Sequence, residues 1–169
     1  MTADELERSM RKYYKCVYSM ALCYCKNPSD ADDIAQDVFF KLFTYDGSFE
    51  SDEQLKAWLL KCAVNRSINI LKSSWHRLSR PLDEAENVSS PDSCDDGGGT
   101  LFRLISKLGK NNRTALYLYY YESFSINEIA RITGASETAV RSRLARGRRQ
   151  LKKLIESERN GYYGLREII

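Results

Sequence analysis

Ser125-Ile126-Asn127-Glu128-Ile129-Ala130-Arg131-Ile132-Thr133-Gly134-Ala135-Ser136-Glu137-Thr138-Ala139-Val140-Arg141-Ser142-Arg143-Leu144 decides the fold of this 169-residue chain. Ser125 followed by Glu128 is a capping box, in which each side chain satisfies the other residue's free amide at a helix start. The short helix it opens carries Ile126, Ile129 and Ala130 on one side, and the small Ala130 lets a second helix cross closely. Gly134 supplies a left-handed backbone that ends a helix without steric penalty. Ser136 caps the next helix, whose inward face is Val140 and Leu144. Helix, glycine turn, helix is the arrangement that lays its second helix in the major groove of DNA.

That second helix continues into Arg141, Arg143, Arg146, Arg148, Arg149, Lys152 and Lys153, seven cations with no acid among them between 141 and 153. On one helix they repel each other, and phosphate neutralisation with counterion release would offset the repulsion. The bland alternative is a solvated charge run. Its position, continuing a well-formed helix-turn-helix, favours DNA. The formal charge of +3 hides this asymmetry. Residues 1–76 carry a net −1, residues 77–99 a net −4 and residues 100–169 a net +8. One basic end on an otherwise neutral or acidic chain suggests a nucleic-acid-binding end.

Upstream, helical spacing recurs and nothing looks like a strand hairpin. A first helix is predicted over about 4–25. Asn27-Pro28-Ser29-Asp30 stops it and starts a second, which runs to about residue 44 with Ile34, Val38, Phe39, Leu42 and Phe43 inward. Asp30, Asp32 and Asp33 are expected to crowd that helix start, where the dipole favours carboxylates. Asp46-Gly47-Ser48 breaks it, and a long helix is predicted from about Glu53 to about Trp75. Residues 77–99, RLSRPLDEAENVSSPDSCDDGGG, hold six acids and few large apolar side chains, the composition of a flexible linker. Helices at about 101–108 and 111–121 follow. The fold class is therefore all-α, two small helical domains joined by an acidic linker, the second ending in the helix-turn-helix. The domains run 1–76 and 100–160, and the tail 161–169 has no assignment.

Several function classes are excluded. No apolar run is long enough to span a membrane. Asp4, Glu5, Glu7 and Arg8 near the start predict no secretory leader. Five cysteines without paired CxxC motifs predict a reduced, cytoplasmic chain. Cys23-x-Cys25 with the single histidine, His76, lacks the ligand count for zinc, and the aspartates at 30–37 lack a calcium loop. No catalytic constellation or Gly-rich phosphate loop is present, so no metal, no cofactor and no enzymatic activity are expected.

Asp30-Ala31-Asp32-Asp33-Ile34-Ala35-Gln36-Asp37-Val38-Phe39-Phe40-Lys41-Leu42-Phe43 resembles the polymerase-binding segment of bacterial sigma factors. Leu55 to Asn69 is similar to the promoter-melting helix of that family, and 125–149 to its helix-turn-helix domain. Two regions with a short linker is the layout of the extracytoplasmic-function group. The resemblance implies that Asp33, Gln36, Asp37, Phe40 and Lys41 dock on the clamp helices of the polymerase largest subunit. It implies that Phe49, with Ser48 and its neighbours to Glu53, captures a flipped base of the downstream promoter element, and that Asn65, Arg66, Asn69 and Lys72 meet that element's duplex edge. Ser136, Glu137, Thr138, Arg141, Ser142, Arg143 and Arg146, with Arg149 beyond them, match the helix that enters the upstream element. Core RNA polymerase and promoter DNA are the implied partners. The family also admits an anti-sigma protein, and nothing implies an obligate homo-oligomer.

Physical chemistry supports these roles unevenly. Lys61, Asn65, Asn69, Lys72 and His76 recur at steps of three and four and form one polar stripe, suited to base edges and phosphates or simply to solvent. Phe49 is either a stacking side chain for a splayed base or a loop residue folded onto the core. Trp58, in step with Leu55 and Cys62, is expected in the core. The chain departs from the family at Leu108-Gly109-Lys110, where Leu-Pro-Pro is common, at Ser123, where the family has Gly, and at Asn69 and Lys72. The implied function is promoter-specific initiation as an alternative sigma subunit; the rival is a free-standing helix-turn-helix regulator.

Overall fold

A computed structural model describes residues 2–73 and 98–157, and the described residues form seven α-helices and no strand. The helices are α1 (Ala3–Cys25), α2 (Pro28–Phe43), α3 (Asp52–Lys72), α4 (Gly98–Ser106), α5 (Lys110–Tyr120), α6 (Ile126–Thr133) and α7 (Glu137–Ser157). One compact unit is built on α1, α2 and α3; a second contains α4, α5, α7 and Ile126–Ala130 of α6. Trp75, His76, Cys94, most of the predicted linker and the tail lie outside the described residues. Gly98 and Gly99, predicted as linker, already belong to α4.

In the first unit, α1 opens on a capping box: Thr2 Oγ1 accepts from the Glu5 amide at 3.2 Å while Glu5 accepts from the Thr2 amide at 2.8 Å. It ends at Lys26, which turns left-handed at φ 52°. Asn27 then caps α2, accepting from the Asp30 amide at 2.9 Å, with Pro28 in the first turn, where a missing N–H costs nothing. The three helices pack mutually around Val17, Met20, Ile34, Leu42, Leu59 and Leu60, all buried. Of the four described cysteines, Cys23, Cys25 and Cys62 are buried. Burial pushes the Cys62 thiol up, which keeps it protonated and unreactive.

Three sequence expectations are corrected in this unit. Phe43 is 45% exposed rather than inward. The buried stripe is Ala31, Ile34, Ala35, Val38, Phe39 and Leu42, and at about 100° per residue Phe43 falls well round from its centre. Only Asp30 lies in the first turn of α2. Asp32 instead accepts from Tyr14 Oη, and from Gln36 Nε2 at 3.0 Å, so it ties α1 to α2. Burial, and then that bond to Asp32, push the Tyr14 phenol up to about 12. Finally, α3 stops at Lys72, where Ser73 turns extended and its hydroxyl takes up the Ile70 carbonyl at 2.8 Å.

The second unit is organised by two residues that look like surface in the sequence. Arg113 is 3% exposed, and its guanidinium donates to the Leu108 carbonyl at 2.6 Å. That satisfies a carbonyl just past the end of α4, where the helix dipole favours a cation. Gly147 sits where α7 crosses α5: a Cβ there would lie 2.9 Å from Leu116 Cδ1 and 3.1 Å from its Cγ. Leu116 is fully buried and has nowhere to go. Gly147→Val is therefore expected to lower the unfolding free energy by about 1–3 kcal/mol, the range for overpacking. Thermal melting of the full chain checks it, and a midpoint unchanged or raised would contradict the close crossing.

Ser123 precedes the capping box in the left-handed region, at φ 58°. This is the position where the family has glycine, and serine there keeps the glycine conformation. A non-glycine residue in that region costs about 1–2 kcal/mol, and glycine's greater freedom in the unfolded chain offsets part of any gain from replacing it. Ser123→Gly should stabilise the chain by about 0.5–1 kcal/mol, read as a higher denaturant midpoint at unchanged slope. A lower midpoint would show that the serine side chain, not the backbone, is what matters there.

Candidate nucleic-acid interface

Asp33, Gln36, Asp37, Phe40 and Lys41 are all exposed on α2, the surface left once the apolar stripe is buried. Phe40 is 70% exposed, the most exposed large apolar side chain among the described residues, and Phe43 lies one turn beyond it. Gln36 is held by Asp32. Asp37 pairs with Arg66 of α3, the carboxylate accepting from Nε at 2.6 Å, with both side chains about half exposed. Lys41 lies 5.5 Å from the Trp58 ring centre. The two groups of residues expected to bind separate partners thus meet on adjoining helices of one unit.

Between α2 and α3, Ser48 is exposed and Phe49 half-buried. Phe49 stacks on Tyr45 with ring centres 5.2 Å apart and meets Trp58 edge-on at 5.6 Å. Trp58 is half-buried in this three-ring cluster rather than in the core. Gly47 passes close under the Tyr45 ring, so that a Cβ there would fall 2.4 Å from it and the exposed tyrosine would have to shift. Along α3, Lys61, Asn65, Asn69 and Lys72 are exposed on one face, with Arg66 beside them.

The helix-turn-helix is built as its residues specify. The Glu128 carboxylate accepts from the Ser125 amide at 2.8 Å while Ser125 Oγ accepts from the Glu128 amide at 3.3 Å. Gly134 is left-handed at φ 68°, and Ser136 Oγ accepts from the Ala139 amide at 3.1 Å to start α7. Ile129 and Ala130 are buried, as is Ile132, which the pattern missed; Ile126, expected inward, is half-exposed because it sits at the first turn. Val140, Leu144, Gly147, Leu151 and Ile155 form the buried side of α7. At about 100° per residue, Thr138, Ser142, Arg146 and Arg149 lie opposite it, with Arg141 and Arg143 on the two flanks.

The basic run is not uniform. The Arg148 guanidinium donates from Nε to Tyr120 Oη at 2.8 Å and lies within 5.4 Å and 5.7 Å of the Tyr119 and Tyr120 ring centres. Cation–π contact and a hydrogen bond commit it to packing α7 on α5. Glu137 is also engaged: it accepts from Asn127 Nδ2 at 2.8 Å and pairs with Arg141 at 3.2 Å. Asn111 and Asn112 at the start of α5 join Ser142, Arg143 and Arg146 around a shallow groove. Sequence reasoning missed both asparagines; two adjacent amides at a helix start beside a reading helix are the signal that could have found them.

Similarity to known proteins agrees across both units. Residues 10–77 match the family model described as Sigma-70 region 2, and residues 99–151 match Sigma-70, region 4. The chain is 26% identical over 149 residues to the "ECF RNA polymerase sigma factor SigM" of Mycobacterium tuberculosis, covering 88% of this chain and 76% of that protein. It is 29% identical over 160 residues to the "ECF RNA polymerase sigma-E factor" of Escherichia coli, covering 86% and 83%. A solved structure of the sigma factor RpoE in complex with the anti-sigma factor NepR, from Bartonella quintana, shares the fold at a TM-score of 0.73 and 21% identity, over 93% of this chain and all of that one. No described helix is long and apolar enough to cross a membrane.

Proposed function

The chain belongs to the extracytoplasmic-function sigma factors, promoter-selecting subunits of bacterial RNA polymerase without catalytic chemistry of their own, and from that premise we propose how its surfaces divide the work. Residues 1–76 form the polymerase-docking and downstream-element domain, and 100–160 the upstream-element domain. Asp33, Gln36, Asp37, Phe40 and Lys41 hold the clamp helices of the largest subunit. The exposed α3 face of Lys61, Asn65, Arg66, Asn69 and Lys72 meets the downstream element, and Ser48 and Phe49 receive its unstacked base. For that, Phe49 leaves Tyr45 and Trp58, whose rings offer a ready stacking surface. Ser136, Glu137, Thr138, Arg141, Ser142, Arg143, Arg146 and Arg149 form the face that enters the upstream major groove. An anti-sigma protein, the partner seen with the RpoE relative, would regulate access to these faces. The site of action is the cytoplasm, with the polymerase.

The observation that carries this reading is the pairing, in one chain, of an exposed Phe40 stripe with a basic helix-turn-helix face. Two weak DNA contacts joined through one polymerase gain from effective concentration, so neither need be tight. Run-off transcription from a promoter library with core polymerase tests it. Discrete start sites that need both the chain and core are expected. Tight operator binding by the chain alone, with no start-site selection, would favour the free-standing regulator instead.

A further inference from the structure

We propose that Asn127, on the first helix of the helix-turn-helix, is a positioning residue that sets base preference at the position read by Arg141. This rests on the assignment of Arg141 to the upstream major groove. Asn127 Nδ2 donates to Glu137 Oε1 at 2.8 Å, and Glu137 Oε2 takes up Arg141 Nη2 at 3.2 Å. The three side chains form one relay running from α6 across the turn to the outer flank of α7. Glu137 stands in the first turn of α7, where an acidic side chain meets the positive end of the helix dipole.

Each link has a physical consequence. An arginine on a helix surface has many rotamers, and reading a guanine requires its planar fork to face O6 and N7 together. A carboxylate held against Nη2 fixes the guanidinium plane and leaves the remaining N–H groups of the fork free for the base. Arg141 keeps 60% of its side-chain surface exposed in this arrangement, so it is oriented without being consumed. Glu137 can orient Arg141 only if it is itself held, and Asn127 does that. Released, Glu137 can swing toward the groove, where a carboxylate accepts from cytosine N4. Loss of Asn127 therefore weakens the preference for guanine and opens one for cytosine at the same position.

The test uses the full chain with core polymerase on a promoter library randomised across the upstream element, comparing the unsubstituted chain, Asn127→Ala, Arg141→Ala and the double variant. Asn127→Ala is expected to reduce discrimination about three- to tenfold at the one position where Arg141→Ala also reduces it, with the other positions unchanged, as one charge-assisted hydrogen-bond relay would do. The double variant is expected to lose no more than Arg141→Ala alone. Asn127→Asp, which sets a like charge beside Glu137, should relax the same position at least as far. If Arg141→Ala relaxes the preference and Asn127→Ala leaves it untouched, or lowers use of all sequences uniformly, the positioning role is wrong. If Arg141→Ala itself changes no position, the assignment of Arg141 to the groove fails, and this inference with it.

Discussion

Phe40→Ala is expected to weaken association with core RNA polymerase by about 30- to 1,000-fold while leaving the thermal midpoint unchanged. Phe40 is 70% exposed, so the fold gains nothing from it and loses nothing without it. In a docked complex, an aromatic anchor that becomes fully buried carries about 2–4 kcal/mol, which is that range of affinity. Asp37→Arg should also impair docking, but less cleanly. Asp37 pairs with Arg66, and a reversed charge would set two cations together beside α3. A titration of core polymerase against labelled chain separates the two variants. Undiminished binding by Phe40→Ala would remove α2 from the docking surface.

The double substitution Arg143→Ala with Arg146→Ala is expected to lower transcription from a promoter dependent on its upstream element about 100-fold, with core affinity unchanged. Arg146 faces away from the buried side of α7, and both residues edge the groove that Asn111 and Asn112 share. Each base or phosphate contact is worth about 1–3 kcal/mol, and removing phosphate contacts also flattens the salt dependence by about one unit of slope apiece. Arg148→Ala should act differently. Because Arg148 is held by Tyr119 and Tyr120, its loss should appear in stability before promoter use. Loss of core binding in the double variant would contradict the division between the two units.

The caps and the turn of the helix-turn-helix were legible, though not the burial of Ile132, because those signals are local. Ser125, Glu128, Gly134 and Ser136 act on backbone groups within three or four residues, and the structure forms each of those contacts. Partners distant in sequence were not legible. Arg113 reads as a surface cation, yet three and four residues before Leu116 and Tyr117 it shares their buried side and finds carbonyls to satisfy it. Gly147 hides inside a basic run, although a glycine costs a helix interior about 1 kcal/mol and so hints at a close crossing. Phe43 was misplaced because it lies one step of the helical wheel, about 100°, on from Leu42 near the centre of the buried stripe. In the candidate site, the sequence identified the exposed faces but could not give the Asp37–Arg66 pair or the Asn127–Glu137–Arg141 relay, because both depend on how separate helices meet.

Fluorescence anisotropy on a promoter duplex carrying a pre-opened downstream element, with and without core polymerase, tests the central claim most directly. The chain alone should bind weakly, with strong salt dependence and little preference for sequence, and core should tighten promoter binding by about two orders of magnitude or more while restoring preference. Nanomolar, sequence-selective binding by the isolated chain, unaffected by core, would contradict the account.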